Sequence, residues 1–242
     1  MKEKITNTVA IIFFGALSLF IFLWIGFAQK KWVNHLDPTY EINIYPREYK
    51  MVIPEDVRKK ISSLDDAMIK ESPLTFIKKL EKQIETLPLI DNAEVYYDAT
   101  GKIHIDAYQF KPLAYVIYKG KKEYLDQYGR IRNLSKHKNL SLPIVNGVAN
   151  KEALMKVHRV LKEMKKYPGL TSRLTRMEYN PHSIRMKLSG LSAWVVLGDT
   201  DRLENKFYKL EQMDKALKRL NKNHRYIKLD LRYNGQVICQ KN

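Results

Sequence analysis

Two alternating runs flank a polar loop in Ala93-Glu-Val-Tyr-Tyr-Asp-Ala-Thr-Gly-Lys-Ile-His-Ile-Asp-Ala-Tyr108. Apolar and polar residues alternate over 93–97 and again over 102–108, which is typical of strands with one buried face. The loop Asp98-Ala-Thr-Gly101 between them supplies turn-forming residues. These sixteen residues therefore predict a β-hairpin.

The segments before the hairpin have a helical period. Pro54 opens a helix over 55–64, since proline is favoured in a first helical turn. A second helix begins after Ser72, a suitable N-cap, and ends at Pro88, which cannot continue it. Tyr40-Glu-Ile-Asn-Ile-Tyr45 alternates like a short strand. The predicted order is strand, helix, helix, strand, strand.

From Leu113 onward, apolar residues mostly recur at every second position, which predicts a larger β region. Two amphipathic helices interrupt it, one over 151–167 and one over 201–220. The chain ends with strands over 226–231 and 236–239, and Asn234-Gly235 between them is a strong signal for a tight hairpin. The fold class predicted from these patterns is α+β.

Residues 9–28 contain no charged side chain. Twenty residues of helix span about 30 Å, the thickness of a bilayer's hydrocarbon core. The run is longer than the apolar core of a cleaved signal peptide, the alternative, so we predict a single transmembrane helix. Residues 1–8 then form a short tail and 29–38 a linker. The flanking lysines, Lys2 and Lys4 before the run and Lys30 and Lys31 after it, leave the orientation undecided.

The net charge of +17 indicates either solubility beside a surface or binding to an anionic partner: lipid, nucleic acid or an acidic polymer such as cell wall. Anionic lipid and cell-wall polymer suit a membrane-attached chain better than nucleic acid does. The basic stretches are interpreted mainly as the solvated faces of amphipathic helices. Cys239 is the only cysteine, which excludes an intrachain disulfide.

No motif in the sequence predicts catalysis, a cofactor or a metal. The six histidines do not form a pair with metal-ligand spacing. Ser192 lacks the second glycine of a nucleophile elbow, and no glycine-rich phosphate loop is present. Cys239 lies in an alternating strand and is interpreted as a buried, inert thiol. We predict that the chain is not an enzyme.

Short patterns, in order along most of the chain, resemble the FtsQ/DivIB family of bacterial cell-division proteins. The most specific is Leu229-Asp-Leu-Arg-Tyr233, similar to the family's Val-Asp-Leu-Arg-Tyr. The other patterns are Leu87-Pro-Leu-Ile-Asp-Asn-Ala-Glu-Val95, Phe110-Lys-Pro-Leu-Ala114, Tyr124-Leu-Asp-Gln-Tyr-Gly129, Leu142-Pro-Ile-Val-Asn-Gly147 and Leu197-Gly198. One departure is Gln109, where the family usually has Glu.

The resemblance implies a POTRA-type domain over 39–112 and a C-terminal β domain over 113–242. It also implies an orientation: residues 1–8 in the cytoplasm, residues 9–28 crossing the inner membrane once, and the bulk of the chain in the periplasm. The partners it implies are other divisome proteins, FtsB and FtsL. The function it implies is that of a non-catalytic scaffold at the division septum.

The last strand is the candidate binding site, because an edge strand has unpaired backbone groups that a partner strand can use. The resemblance places the partner-binding positions in the final hairpin: Arg232, Tyr233, Gly235, Gln236, Val237 and Ile238. Two alternatives stay open. Asp230 and Arg232 pair across the sheet while Tyr233 caps the core, or the whole chain is a membrane-tethered module that binds wall or anionic lipid.

Overall fold

The computed structural model describes residues 14–24, 40–64, 72–221 and 225–241. The chain divides into two compact units. The first consists of residues 1–45 and 53–108, and the second of residues 46–52 and 109–242. A short segment from the first half of the chain therefore belongs to the second unit.

The first unit has the order that the sequence patterns predict. Its elements are strand β1 (Tyr40–Tyr45), helix α2 (Pro54–Ser62), helix α3 (Pro73–Glu85), strand β2 (Ile90–Tyr97) and strand β3 (Ile103–Gln109). The three strands form one sheet in the order β1-β3-β2, with β1 parallel to β3. Strands β1 and β2 are therefore the two outer strands of this sheet.

Alternation along β2 and β3 builds the core of the first unit. The fully buried side chains of β3 are every second residue, Ile103, Ile105 and Ala107, as one face of a strand requires. Leu80 and Ile84 lie one helical turn apart on α3 and are fully buried. The sheet and α3 thus bury their apolar faces as two layers.

The segment 46–52 is held in the second unit by Gln109, which is buried. The Gln109 side-chain oxygen accepts hydrogen bonds from the backbone N–H of Met51 at 2.7 Å and of Val52 at 3.0 Å. Its amide nitrogen donates to the Pro46 carbonyl at 3.0 Å. An ionised Glu has acceptors only, so it cannot make the third bond. The position therefore uses a side chain that both accepts and donates, as Gln does.

The second unit is built on one sheet of nine strands among the described residues. Its strands are β4 (Pro112–Tyr118), β5 (Lys121–Asp126), β6 (Ile131–Arg132), β7 (Ile144–Val148), β8 (Leu174–Asn180), β9 (Ser183–Leu188), β10 (Trp194–Gly198), β11 (Tyr226–Asp230) and β12 (Ile238–Lys241). Their spatial order is β12-β11-β10-β9-β8-β7-β4-β5-β6. Strands β12 and β6 are therefore the outer strands.

Helices connect the parallel strands of this sheet. Strands β7 and β8 are parallel and are joined through α4 (Lys151–Met164) and α5 (Pro168–Thr171). Strands β10 and β11 are parallel and are joined through α6 (Leu203–Arg219). Buried residues of α4 and α6 share one apolar core with buried residues of the sheet. The helices therefore cover one face and leave the other face of the sheet uncovered by described helices.

The predicted N-terminal transmembrane helix requires a correction. Within this run, the described helical residues are 14–24, here α1. Within the described ranges, no helix combines the length and the apolar character needed to cross a bilayer. The transmembrane part of the predicted fold class is therefore wrong for the described structure. Residues 9–13 and 25–28 of the predicted span lie outside the described residues.

Candidate functional site

Strand β12 lies at the edge of the nine-stranded sheet. It pairs in antiparallel fashion with β11, and no strand in the described part of the chain pairs with its other side. The opposite outer strand, β6, has two residues only. Because a strand edge needs several consecutive backbone groups to pair with a partner, β12 is the usable edge of this sheet.

The direction of the backbone donors of β12 follows from one hydrogen bond. The Leu231 N–H donates to the Val196 carbonyl of β10 at 2.9 Å, so the preceding residue, Asp230, directs its N–H and C=O toward β12. Asp230 is opposite Ile238 in the register, which makes them a hydrogen-bonded pair. The N–H of Ile238 therefore faces inward, and that of Cys239 faces outward, where a partner strand would accept it.

Asp230 and Arg232 form an ion pair at the base of the hairpin. The Arg232 Nε lies 2.9 Å from Asp230 Oδ1, and its Nη2 lies 2.7 Å from Oδ2. Lys228 Nζ lies 3.3 Å from Oδ2. These donors, Arg232 first, lower the pKa of the buried Asp230 carboxyl to about 2. The pair joins residues two apart along the chain, not residues on opposite strands.

The Arg232 stem lies over Gly198, the last residue of β10. A Cβ at Gly198 would lie 2.6 Å from Arg232 Cγ, so this position requires glycine for a close approach as well as for its φ of +77°. The Tyr233 ring is 46 % exposed, and the Arg232 guanidinium lies 6.0 Å from its centroid. Tyr233 is therefore available at the surface beside a fixed cation.

A lysine from α6 fastens the turn of the hairpin. Lys209 Nζ donates to the Tyr233 carbonyl at 2.7 Å and to the Gln236 carbonyl at 3.2 Å. Burial, followed by the nearby Arg202 and Lys206 cations, lowers the pKa of Lys209. The turn differs from the predicted tight hairpin, because only Gly235 has a positive φ whereas a type I′ turn needs two. The last strand accordingly begins at Ile238, not at Gln236.

The six predicted site residues lie together in this hairpin but face different ways. Val237 packs against the core, and Ile238, which follows it, is 43 % exposed. Gly235 and Gln236 are exposed in the turn. Sequence reasoning missed Lys209, which lies far away in sequence and gives no local signal. It also missed the outward N–H of Cys239, whose half-buried thiol has its pKa raised by burial.

A shallow groove of about 720 Å³ adjoins β12 on the uncovered face of the sheet. Its lining includes Arg185, Trp194, Lys228 and Gln240. The Arg185 guanidinium lies 4.7 Å from the Trp194 ring centroid, within the range of a cation–π contact. Arg185 also pairs with Glu178, which lines the groove with Tyr179, so cations, a carboxylate and two aromatic residues lie next to the open strand edge.

The first unit contains a histidine–carboxylate pair, His104 and Asp98. His104 Nε2 lies 2.9 Å from Asp98 Oδ2, and the Tyr96 ring stacks on the imidazole. Hydrogen bonds from Thr100 and His104 lower the pKa of Asp98. Both groups are thus used in local contacts. Among the described residues, no cluster of His, Cys, Asp or Glu has the arrangement of a metal site.

Comparison with known proteins identifies the family. The family model described as FtsQ/DivIB, C-terminal related, matches residues 111–240. The chain belongs to the FtsQ/DivIB family. The predicted family membership is thereby confirmed, and cell division is the process to which this family belongs. The match begins just before β4 and ends within β12, so it includes the other eight strands of the sheet completely.

A similar solved structure also comes from this family. It is the major extracytoplasmic domain of the trans isomer of the bacterial cell division protein DivIB from Geobacillus stearothermophilus. The likeness has 15% sequence identity and a TM-score of 0.33, and it covers 46% of this chain and 96% of that chain. No curated protein matches the chain.

Proposed function

We propose that this FtsQ/DivIB family chain is a non-catalytic scaffold of the division machinery that binds a partner by β-strand addition at β12. The observation that carries the proposal is the outward N–H of Cys239 on an edge that no described strand covers. Main-chain hydrogen bonds along such an edge supply affinity, and neighbouring side chains supply specificity. The two functional regions are residues 39–112 and 113–242, and the second contains the binding edge.

The side chains around β12 fit this role in different ways. Tyr233 offers an exposed ring, and exposed aromatics often become interface anchors. Ile238 offers an apolar side chain on the uncovered face. Arg232 is paired with Asp230, so its contribution is to hold the hairpin and to keep a cation beside Tyr233. The partners that the family suggests are the small divisome proteins FtsB and FtsL.

The edge is tested by proline at Cys239. Cys239→Pro removes the outward donor and fixes φ, so we expect the partner to be lost from a co-purification while the thermal melting temperature changes little. Cys239→Ala is the matched control, because it keeps the N–H and should keep the partner. Tyr233→Ala should weaken binding by about 2 kcal/mol if the ring is an anchor. Full binding by Cys239→Pro and by Tyr233→Ala would exclude this edge.

The cellular role and the location are tested separately. Depletion should give filamentous cells with unfinished septa, and normal division of depleted cells would contradict the scaffold role. We further propose that the bulk of the chain lies outside the cytoplasm. A reporter active only outside the cytoplasm, fused after Asn242, should be active. A stable but inactive fusion would contradict that location.

A second candidate function is binding of cell wall or anionic lipid. The specific observation is the groove beside Trp194, where Arg185, which also pairs with Glu178, and Lys187 lie near the ring. A pull-down with purified wall at low and high salt tests it, because charge-driven binding weakens with salt. Salt-sensitive wall binding, abolished in Arg185→Glu, without any protein partner would favour this function over the first.

A further inference from the structure

Strand β2 is the outer strand of the three-stranded sheet, and two of its backbone donors are already occupied. The Val95 N–H donates to Glu81 Oε1 at 3.0 Å, and the Ala93 N–H donates to Glu85 Oε1 at 3.4 Å. Both glutamates belong to α3, and β3 is the other neighbour of β2. Donors two residues apart point to the same side of a strand, so these bonds lie on the outer side of β2.

The spacing of the two carboxylates matches the spacing of the donors. Residues four apart on a helix lie one above the other on the same face, about one turn of 5.4 Å apart. Residues two apart on a strand lie about 6.6 Å apart. Helix α3 packed beside β2 therefore presents one acceptor to each successive outward N–H. Hydrogen bonds to a charged carboxylate are also stronger than those between neutral groups.

The geometry points to a closed edge: Glu81 and Glu85 occupy the donors of β2 and so prevent an extended segment from adding to the first sheet. An incoming strand would need the N–H groups of Ala93 and Val95 for its own carbonyls. It would have to displace both carboxylates first, and they would lose their partners. The contact is autoinhibitory, and it does not depend on the function proposed for β12.

The test uses the full chain and three variants. Glu81→Ala/Glu85→Ala removes both acceptors, and it should not disrupt α3 because Ala is the best helix former. Glu81→Gln/Glu85→Gln removes the charge but keeps an oxygen acceptor at each position. Glu55→Ala removes an exposed carboxylate of α2 that pairs with Arg58 on the surface, and it controls for the loss of acidic charge.

Two measurements follow. Amide hydrogen exchange at Ala93 and Val95 should be slow in the unmodified chain and about tenfold faster or more in the double Ala variant. The double Gln variant should stay close to the unmodified chain. A labelled synthetic peptide of residues 90–97, used as a probe strand, should bind the double Ala variant and not the unmodified chain or Glu55→Ala.

Three outcomes would overturn the inference. Fast exchange of both amides in the unmodified chain would show that the carboxylates do not occupy the donors, and this readout needs no variant to fold. Equal binding of the peptide to the unmodified chain and to the double Ala variant would show that the edge is open already. Fast exchange without peptide binding in the double Ala variant would show that something other than the glutamates closes the edge.

Discussion

Strands β2 and β12 are both outer strands, and each presents backbone donors away from its own sheet. At β2 the donors of Ala93 and Val95 are bound by carboxylates of a packed helix. At β12 the donor of Cys239 has no side-chain acceptor among the described residues. The charged groups near β12 instead bind other groups of the hairpin: Arg232 binds Asp230, and Lys209 binds the turn carbonyls.

The chain blocks one of its two exposed edges and leaves the other open. An uncovered edge is an aggregation hazard unless it is blocked or used. Two glutamates one helical turn apart block the first edge at little structural cost. At the second edge, ion pairs and hydrogen bonds hold the hairpin in shape and leave the outward donor free. A binding edge benefits from this arrangement, because a preordered strand loses less entropy on binding.

The largest effect on stability is expected from removing a hydrogen bond between β12 and β11. Ile238→Pro removes the N–H that pairs with Asp230, so β12 should detach from β11 and the free energy of unfolding should fall by about 3 kcal/mol. Partner binding should be lost at the same time. Urea unfolding of the full chain, followed by co-purification, measures both quantities.

Cys239→Pro is the matched comparison for Ile238→Pro, since the two positions are adjacent and face opposite ways. It should lower the free energy of unfolding by less than about 1 kcal/mol and still abolish binding. Equal destabilisation by both prolines would contradict the assigned donor directions, and the open edge would then have to be defined by other residues.

An intermediate effect on stability is expected from low pH, which protonates Asp230 at the base of the hairpin. The pKa of Asp230 is about 2 in the folded chain and near 3.8 without its partners, so the unfolded chain takes up the proton first as the pH falls. The ion pair therefore stabilises the folded chain by about 2 kcal/mol above about pH 5, and this stabilisation is lost as the pH falls from about 4 to 2.

Asp230→Asn isolates this contribution from that of other carboxylates. The unmodified chain and the variant should differ in free energy of unfolding at pH 6 and converge toward pH 2, as measured by urea unfolding at each pH. Asp214, which pairs with Arg173 and Lys218, supplies a control carboxylate away from the hairpin. A constant difference between pH 6 and pH 2 would show that the Asp230–Arg232 ion pair does not stabilise the hairpin.

Local patterns predicted most of the local structure. Alternation at 93–108 and helical spacing over 73–85 gave the elements of the first unit, since each pattern is set by which side chains one face buries. The four-residue helix α5 was missed, because Pro168-Gly169 is typical of a helix end. The parallel pairing of β4 with β7 was also out of reach, since it joins segments that no local pattern relates.

The location of the candidate site was predictable from the sequence, but its strand bounds and donor directions were not. The hairpin at 226–239 was visible, yet β12 begins at Ile238, after a turn whose carbonyls are bound by the distant Lys209. Which donors face outward depends on the register with β10 and β11, which the sequence does not encode locally. The blocking of β2 by Glu81 and Glu85 also depends on how a helix packs beside a strand.

The smallest effect is expected at Lys209, which fastens the turn from α6. Lys209→Met keeps the apolar stem and removes the donor to the Tyr233 and Gln236 carbonyls. Both carbonyls are at the surface, so the free energy of unfolding should fall by only about 1 kcal/mol. The partner must then order the hairpin on binding, and we expect its Kd to rise about fivefold, measured by titration against the full chain.

The control for Lys209→Met lies on the same helix. Lys215 pairs with Glu211, and its side chain is 62 % exposed, so Lys215→Met should change neither stability nor binding. Equal effects of the two variants would mean that the turn is held without Lys209. An unchanged Kd in Lys209→Met despite lower stability would mean that the partner contacts β12 alone. The interface would then consist of the β12 strand only, with the turn outside it.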